Sequence, residues 1–557
     1  MAAVTESAPR VSATEGVVVA NLVQIEQRRV IAAEIHWRAG VIHRIRSLGG
    51  ERSGLGYVMP GFVDAHLHIE SSLLTPAAFA RMAVRHGTVG AICDPHEIAN
   101  VLGTDGVRFM LREARETPFH FLFGAPSCVP ATPFVTTGAE LDVAAVEALL
   151  LQPGVGFLSE VMNVPAVLAR DPALCAKIGS ARRLGLPVDG HAPGLRGDGL
   201  RRYVAAGIDT DHECATLEEA LEKIRCGMHI LIREGSAARN FDALHPLLTS
   251  HTERVMLCSD DKHPDALLDG HIDRMVARAV ALGHEVFDVL RAACINPVRH
   301  YRLPGGLLRV GDAMDAIEVS DLASFVARRT WLRGVCVWDG SVRAPQAVIG
   351  APINRFDANP IAPEALVLAA PEGRLLRVIE VRDGELITRE LRLPLNRAGQ
   401  GILPDPGRDI LLLAVMNRYH AHPPAVALVR GFGLRAGALA SSVAHDAHNV
   451  IAVGTDAQSL CAAANAVIAA RGGLAVALRG RVELLPLPVA GLMSREPGEK
   501  VAERYASLER LARRLGCPLQ APLMALSFLT LLVIPELKLS DRGLFDTTAL
   551  RFTSPWV

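Results

Sequence analysis

The sequence predicts an α/β protein built around a (β/α)8 TIM-type barrel, with a small composite β-sandwich domain and an additional C-terminal α+β domain. Three observations carry that expectation. Between Pro60 and about Pro304, short apolar runs alternate with Ala/Leu/Arg-rich helical stretches, the rhythm of a parallel sheet with crossover helices. Both flanks of that region change to the two-residue period of strands. And at 557 residues the chain is too long for a single core.

Residues from about Gly16 to Tyr57 alternate apolar and polar, as in VVVANLVQI and GVIHRIRSL, and read as short strands of a small sheet. The eight barrel strands are expected at Gly61–Asp64, Thr88–Cys93, Phe119–Phe123, Val155–Ser159, Leu186–Asp189, Ile208–Asp211, Met228–Ile232 and Val255–Cys258. Stretches such as TPAAFARMAVRHG, VAAVEALLLQ, ALCAKIGSARRLG and TLEEALEKIRCG supply helices between them. Beyond the barrel, GGLLRVGDAMDAIEVSDLASFVARRTWLRGVCVWDG returns to short strands, so the chain is expected to re-enter the small sheet it left at Pro60. The domain boundaries this implies are 1–59 with 304–358 for the composite β domain, 60–303 for the barrel and 359–557 for the C-terminal domain.

Composition narrows the function. A net charge of −1 offers no general attraction to nucleic acid, which favours a small-molecule substrate. The N-terminal MAAVTESAPRVSATEG lacks the charged-then-apolar layout of a secretion signal. The longest apolar run, Ala521 to Ile534, is broken by Pro522, stopped by Pro535 and too short to span a bilayer. It is expected to be a buried helix or strand, with no membrane association. The ten cysteines are scattered without a C-x-x-C pair, which argues against thiolate zinc sites and disulfides and for a reducing cytoplasm.

In a barrel of this kind reactive residues sit at the C-terminal strand ends. Strand one ends in Asp64-Ala-His66-Leu-His68, and alternation along a strand lets both imidazoles face the mouth. Strand four ends in Ser159-Glu160, strand five in Gly190-His191, strand six in Asp211-His212 and strand eight in Cys258-Ser259-Asp260-Asp261. Any one of these is unremarkable, since a lone His or Glu is more often a hydrogen-bonded structural residue than a ligand. Their recurrence at the ends of one β/α series is not. Four imidazoles and two or three carboxylates suit two divalent cations, with zinc, manganese and ferrous iron all compatible. Two such ions lower the pKa of shared water, so a hydroxide forms at neutral pH.

The order of PGFVDAHLHIESS, DPHEIANVLG, FLSEVMN, VDGHAPGL, DHECAT, IREGSAARN and CSDDKHPD resembles the adenine deaminase family of the amidohydrolase superfamily. The segments SSVAHDAHNVIAVGTD and FLTLLVIPELKLSDRGLFD resemble its C-terminal domain. The resemblance implies hydrolysis of free adenine to hypoxanthine and ammonia, in a homo-oligomer such as a dimer. It also implies a binuclear centre, with His66, His68 and Asp260 on one metal, His191 and His212 on the other, and Glu160 bridging. The expected cofactors are two divalent ions per chain, Mn2+ or Fe2+ ahead of Zn2+.

Within that reading Asp260 is the residue expected to take a proton from the nucleophile and pass it to the leaving amine. The acid for the ring nitrogen is either Glu97, in Asp94-Pro-His96-Glu97, or Glu234, in Arg233-Glu234-Gly-Ser236. Glu97 could equally be a carboxylate facing a helix N-terminus. His96 would orient a carboxylate or touch substrate, and Glu70, Ser236 and Asp261 are the candidate substrate contacts. Ser441-Ser442-Val-Ala-His445-Asp446-Ala-His448-Asn449 could complete the pocket, bind a further ion or form a structural turn. The rival readings are a deaminase of a modified purine such as N6-methyladenine, another hydrolase of the superfamily, and a catalytically dead scaffold. The complete ligand set argues against the last.

Overall fold

The computed structural model describes residues 15–236, 238–342, 351–368, 375–394, 397–398 and 401–557. The two flanks of the barrel do meet in one sheet. Its seven strands run Val335–Trp338, Ala327–Leu332, Ala316–Val319, Tyr57–Pro60, Glu15–Gln24, Arg29–Arg38 and Val41–Gly50 across the sheet. The junction is the antiparallel pairing of Ala316–Val319 with Tyr57–Pro60, immediately before the first barrel strand. The expected sandwich is in fact this single sheet wrapped over its own core. Trp37 and Trp331 come from strands far apart in the sheet order, yet their rings pack edge to face at 6.5 Å.

Eight parallel strands follow. Five of them, Phe62–Leu67, Thr88–Cys93, His120–Ala125, Val155–Val161 and Val188–Gly190, form one continuous run. The other three, Thr210–Asp211, His229–Arg233 and Val255–Cys258, form a second. Both seams close through a few backbone contacts. Asp209 N–H donates to Val188 O at 2.8 Å at the first, and at the second Asp260 N–H donates to His66 O at 2.9 Å, with His68 N–H also donating to Asp260 O at 3.4 Å. The apolar residues enclosed by the strands, Val63, Ala65, Ile92, Phe157, Leu231, Met256 and Cys258, form one buried cluster with Tyr301 and Leu303. Such a filled interior leaves only the strand ends free for chemistry.

Several strands are displaced from their expected positions for identifiable reasons. Strand one continues through His66 because its backbone is paired on both edges, so polar side chains do not end it. Strand five starts at Val188 rather than Leu186, since Pro187 has no N–H to give a ladder. Several helices start on side-chain caps. Asp171 accepts from Leu174 N–H and Thr216 from Glu219 N–H, each a contribution of about 1 kcal/mol.

The C-terminal region is built on an eight-stranded sheet whose four central strands are Ala425–Arg430, Leu411–Met416, Val450–Gly454 and Ala438–Ser441. The helix Ala457–Ala469 covers one face, with Leu460, Ala464 and Val467 in the core between them. The other face shares a core with the barrel: Leu74 and Met82 lie in the same apolar cluster as Leu439, Val476 and Tyr505. The apolar run from Ala521 becomes the helix Pro522–Ser527 and a 3-10 turn, Phe528–Thr530, buried against the barrel mouth. Among the described residues no helix is long and apolar enough to cross a membrane. All ten cysteines are unpaired.

Candidate active site

The six residues expected to hold metal converge at the strand ends. Glu160 is central. Its Oε2 lies 2.8 Å from His191 Nδ1 and 3.2 Å from His212 Nε2, and its Oε1 lies 3.7 Å from His68 Nε2. Across from it, Asp260 Oδ1 is 3.3 Å from His68 Nε2 and 3.8 Å from His66 Nε2. The rings of His66 and His212 stack with centroids 4.1 Å apart. All six are buried except His191, which is partly open.

A second layer fixes these side chains. His68 Nδ1 faces Asp94 O at 3.1 Å, which directs Nε2 at the carboxylates. Asp94 itself accepts from the N–H groups of His96 and Glu160 at 3.0 and 3.3 Å, tying strand two to strand four. Asp64 does not point with His66, although strict alternation would put it on the same face. The pairing register shifts between Asp64 and Leu67, and the Asp64 carboxylate accepts from Ser259 N–H at 3.0 Å and meets His271 Nε2 at 2.8 Å. It anchors strand one to strand eight.

The donors fit cations. Among the described residues neither ring nitrogen of the fully buried His66 has a hydrogen-bond partner, an arrangement that is costly unless something else satisfies them. Groups such as His66, His212 and Asp260, or Glu160, His191 and His212, bring one donor atom each to within 4.8 Å of the others. Electrostatics agree. Burial, helped by the neighbouring rings of His212 and His68, holds His66 well below the usual imidazole range, so it is a neutral donor. Burial raises the Asp260 carboxyl, but the Arg233 guanidinium together with His68 and His212 outweighs that and keeps it well below its usual range. At Glu160 burial is likewise outweighed, there by His191 and His212.

The wall beyond this floor comes from two parts of the chain. His96 and Glu97 open the helix His96–Leu102, so Glu97 does lie in a first turn. Its carboxylate also contacts His445 Nδ1 and His448 Nε2, which arrive from the C-terminal domain. The loop carrying those histidines is pinned by the fully buried Arg418, which donates to His448 O at 3.1 Å, and by Thr530, which donates to His445 O at 2.8 Å. The His445 ring stacks on Phe528 at 4.4 Å, and Leu386, Leu531, Val533 and Ile534 complete an apolar roof over the cavity.

The remaining sequence candidates separate. Asp261 lines the cavity and accepts from Ser71 Oγ. Glu70 lies behind Glu97, accepting from Ile98 N–H at 3.1 Å, and burial with the nearby Glu97 pushes its carboxyl up to about 7. Ser236 accepts from His263 N–H at 2.9 Å and braces a loop. Glu234 is turned away from the cavity and pairs with Arg278 at 3.2 Å, contrary to the expectation that it faces the mouth. The reason is alternation: Leu231 lies in the barrel interior, so Arg233, two residues on, points inward and Glu234 outward. Arg233, which donates to both Asp260 and Glu213, is the wall residue missed from the sequence, although the same alternation along ILIRE identifies it.

Comparison with known proteins gives a consistent result. The model of the amidohydrolase family matches residues 57–340, and that of the adenine deaminase C-terminal domain matches residues 385–551. An adenine deaminase of Salinibacter ruber is 52% identical over 539 residues, covering 96% of this chain and 98% of its own. One of Parabacteroides distasonis is 48% identical over 539 residues, with the same coverage. One of Methanosarcina barkeri is 49% identical over 507 residues, covering 89% of this chain and 92% of its own. With these relatives matching along nearly its whole length, the chain belongs to the adenine deaminase family within the amidohydrolases.

Proposed function

We propose that the protein hydrolyses free adenine to hypoxanthine and ammonia, using two divalent cations held by His66, His68, Glu160, His191, His212 and Asp260. The observation that carries this is Glu160, whose two oxygens face different imidazole groups, as a bridge between two ions requires. The relatives' names supply the substrate. Mn2+ or Fe2+ is the expected pair, with Zn2+ compatible with the same donors. When bound, such ions supply a hydroxide at neutral pH and polarise the reacting centre.

The chain's own groups then handle the protons. Asp260 is ionised at neutral pH, so it can take the proton of the attacking water and deliver it to the departing amino group. Glu97 stands on the cavity wall while Glu234 does not, which favours Glu97 as the group serving the ring nitrogen. His445 and His448 keep its carboxyl ionised, so the proton it hands to the ring is one it takes from the protonated His445 beside it. The roof excludes bulk water and strengthens each of these interactions. We place the enzyme in the cytoplasm, in keeping with its ten unpaired cysteines.

The test is to load the protein with manganese, offer adenine, N6-methyladenine, adenosine and a cyclic amide, and measure ammonia and products. Adenine should be turned over and adenosine should not. Metal analysis should return two ions per chain, and Glu160→Gln should lower that content most. Comparable turnover of adenosine, or full occupancy in Glu160→Gln, would overturn the respective assignment.

A further inference from the structure

The loop at residues 445–449 brings three ionisable side chains to the barrel mouth, and two of them are already satisfied there. His445 and His448 both meet Glu97. Asp446 is different. It is 9% exposed, its Oδ2 is buried with no hydrogen-bond partner among the described residues, and its Oδ1 lies 3.8 Å from His96 Nε2. Every other carboxylate on the cavity wall has a partner of its own: Glu97 and Glu160 have histidines, Glu213 and Asp260 have Arg233, and Asp261 has Ser71. A buried carboxylate oxygen left without a donor is costly. The donor it lacks is therefore one that a ligand brings.

Position says which part of the ligand. The His96 ring spans the gap between Glu160 and Asp446, with Nδ1 3.5 Å from Glu160 Oε1 and Nε2 on the Asp446 side. Asp446 thus stands one imidazole further from the floor than the reacting end of the cavity. A purine whose C6 faces Glu160 and Asp260 would present its far edge to Asp446. That edge is the imidazole half, and in a free base it carries an N–H at N9. The flanking roof residues Phe528, Leu531 and Ile534 are apolar and suit the flat faces of the ring, while giving a ribose no hydrogen bonds.

We propose that Asp446 selects the free base, by accepting the ring N–H that adenine has and its N9-substituted derivatives lack. This rests on the adenine reading above. The discrimination works through the unpaired group: an N9-substituted purine leaves the Asp446 oxygen buried without a donor, the situation in which polar sites reject analogues most strongly.

The experiment measures kcat and KM for adenine and 9-methyladenine with wild type, Asp446→Asn and Asp446→Ala, alongside metal content. Wild type should strongly prefer adenine. Asp446→Ala should raise KM for adenine on the order of 10- to 100-fold, the range for a hydrogen bond to a charged group, with kcat much less affected. The preference over 9-methyladenine should shrink by the same factor, and Asp446→Asn, which keeps one acceptor oxygen, should lie between. An unchanged preference in a folded, metal-replete Asp446→Ala protein would overturn the proposal. So would loss of a metal ion from that variant, which would make Asp446 a cation ligand. If the variants fail to fold, equilibrium binding of hypoxanthine and 9-methylhypoxanthine to wild type decides instead, and equal affinities would refute the role. Failure of wild type to deaminate adenine would sink the functional reading by a separate route, and the binding comparison would still test Asp446.

Discussion

Two fully buried lysines show how the floor and the roof of the cavity differ. Lys223, beneath the floor, donates to Asp211 at 3.0 Å, to Glu219 at 2.7 Å and to Ala192 O at 2.7 Å. Burial opposes its charge, but Asp211 and Glu219 together with Cys214 outweigh burial and its pKa is raised. Lys538, above the roof, meets no carboxylate among the described residues. It donates to Leu386 O at 2.8 Å and Phe528 O at 3.2 Å, and burial pushes its pKa down to about 7. The floor is thus a charge-paired network on strand and helix ends, held by many directional bonds. The roof is an apolar cover fastened through main-chain carbonyls.

If that contrast is correct, a change in the floor should act on chemistry, and the largest effect belongs to Asp260. Asp260→Asn keeps the size and one oxygen but cannot accept a proton, so kcat should fall about 100- to 10,000-fold, or about 3–5 kcal/mol in barrier. The fold should survive, because the residue stands at the mouth and outside the packed interior. Activity must be compared per occupied metal site. A variant that carries both metals and turns over adenine at nearly the wild-type rate would remove Asp260 from proton transfer.

Glu97 joins the two regions, and Glu97→Gln asks which of them it serves. If it relays a proton from His445 to the ring, its loss should cost about 100-fold in kcat. As the partner of His445 it has a separate signature. Burial disfavours the charged His445 ring, but the Glu97 carboxylate outweighs it and pushes the pKa up to about 9. With Gln in place, that value should drop, because burial is then opposed only by the smaller pull of the Asp261 and Asp446 carboxylates. Proton NMR of the histidine ring would follow it. A shifted His445 with unchanged kcat would make Glu97 a brace between floor and roof and no acid at all.

The same contrast explains what was legible in the sequence. His66, His68, Glu160, His191, His212 and Asp260 each end a strand whose apolar run is visible, so periodicity alone places them together. Glu97 and Asp261 lie in the residues just beyond such runs. Glu234 takes one further step, since Leu231 in the interior forces Arg233 inward and Glu234 outward. The roof left no comparable trace. Phe528, Leu531 and Ile534 read as an ordinary buried apolar run, and only the folded chain brings them over His96 and Asp446. Asp446 itself stood out by the density of ionisable residues around it, but composition cannot say which of three neighbours lacks a partner.

The smallest expected effect tests the roof's fastening. Lys538→Met preserves length and apolar bulk but removes the donors to Leu386 O and Phe528 O, and each buried carbonyl left unpaired costs about 1–3 kcal/mol. Part of that is recovered, because the wild-type amine is itself poorly solvated. The balance depends on pH, and its sign follows from the depressed pKa. The folded value is about 7 and the unfolded value about 10.4, so between them the unfolded chain binds the extra proton. Wild-type stability therefore gains from this group as pH rises through that window, by at most about 1.4 kcal/mol per unit, and loses the contribution as pH falls through 7. At pH 9 Lys538 is a neutral amine whose two N–H groups match its two carbonyls, and Lys538→Met should be the less stable protein. At pH 6 the wild type must either carry a buried charge or loosen its roof, and the difference should vanish or reverse. Melting temperatures of both proteins from pH 6 to 9 measure this directly. Parallel curves for wild type and Lys538→Met would mean that Lys538 does not titrate in the folded protein, and would undo the contrast with Lys223.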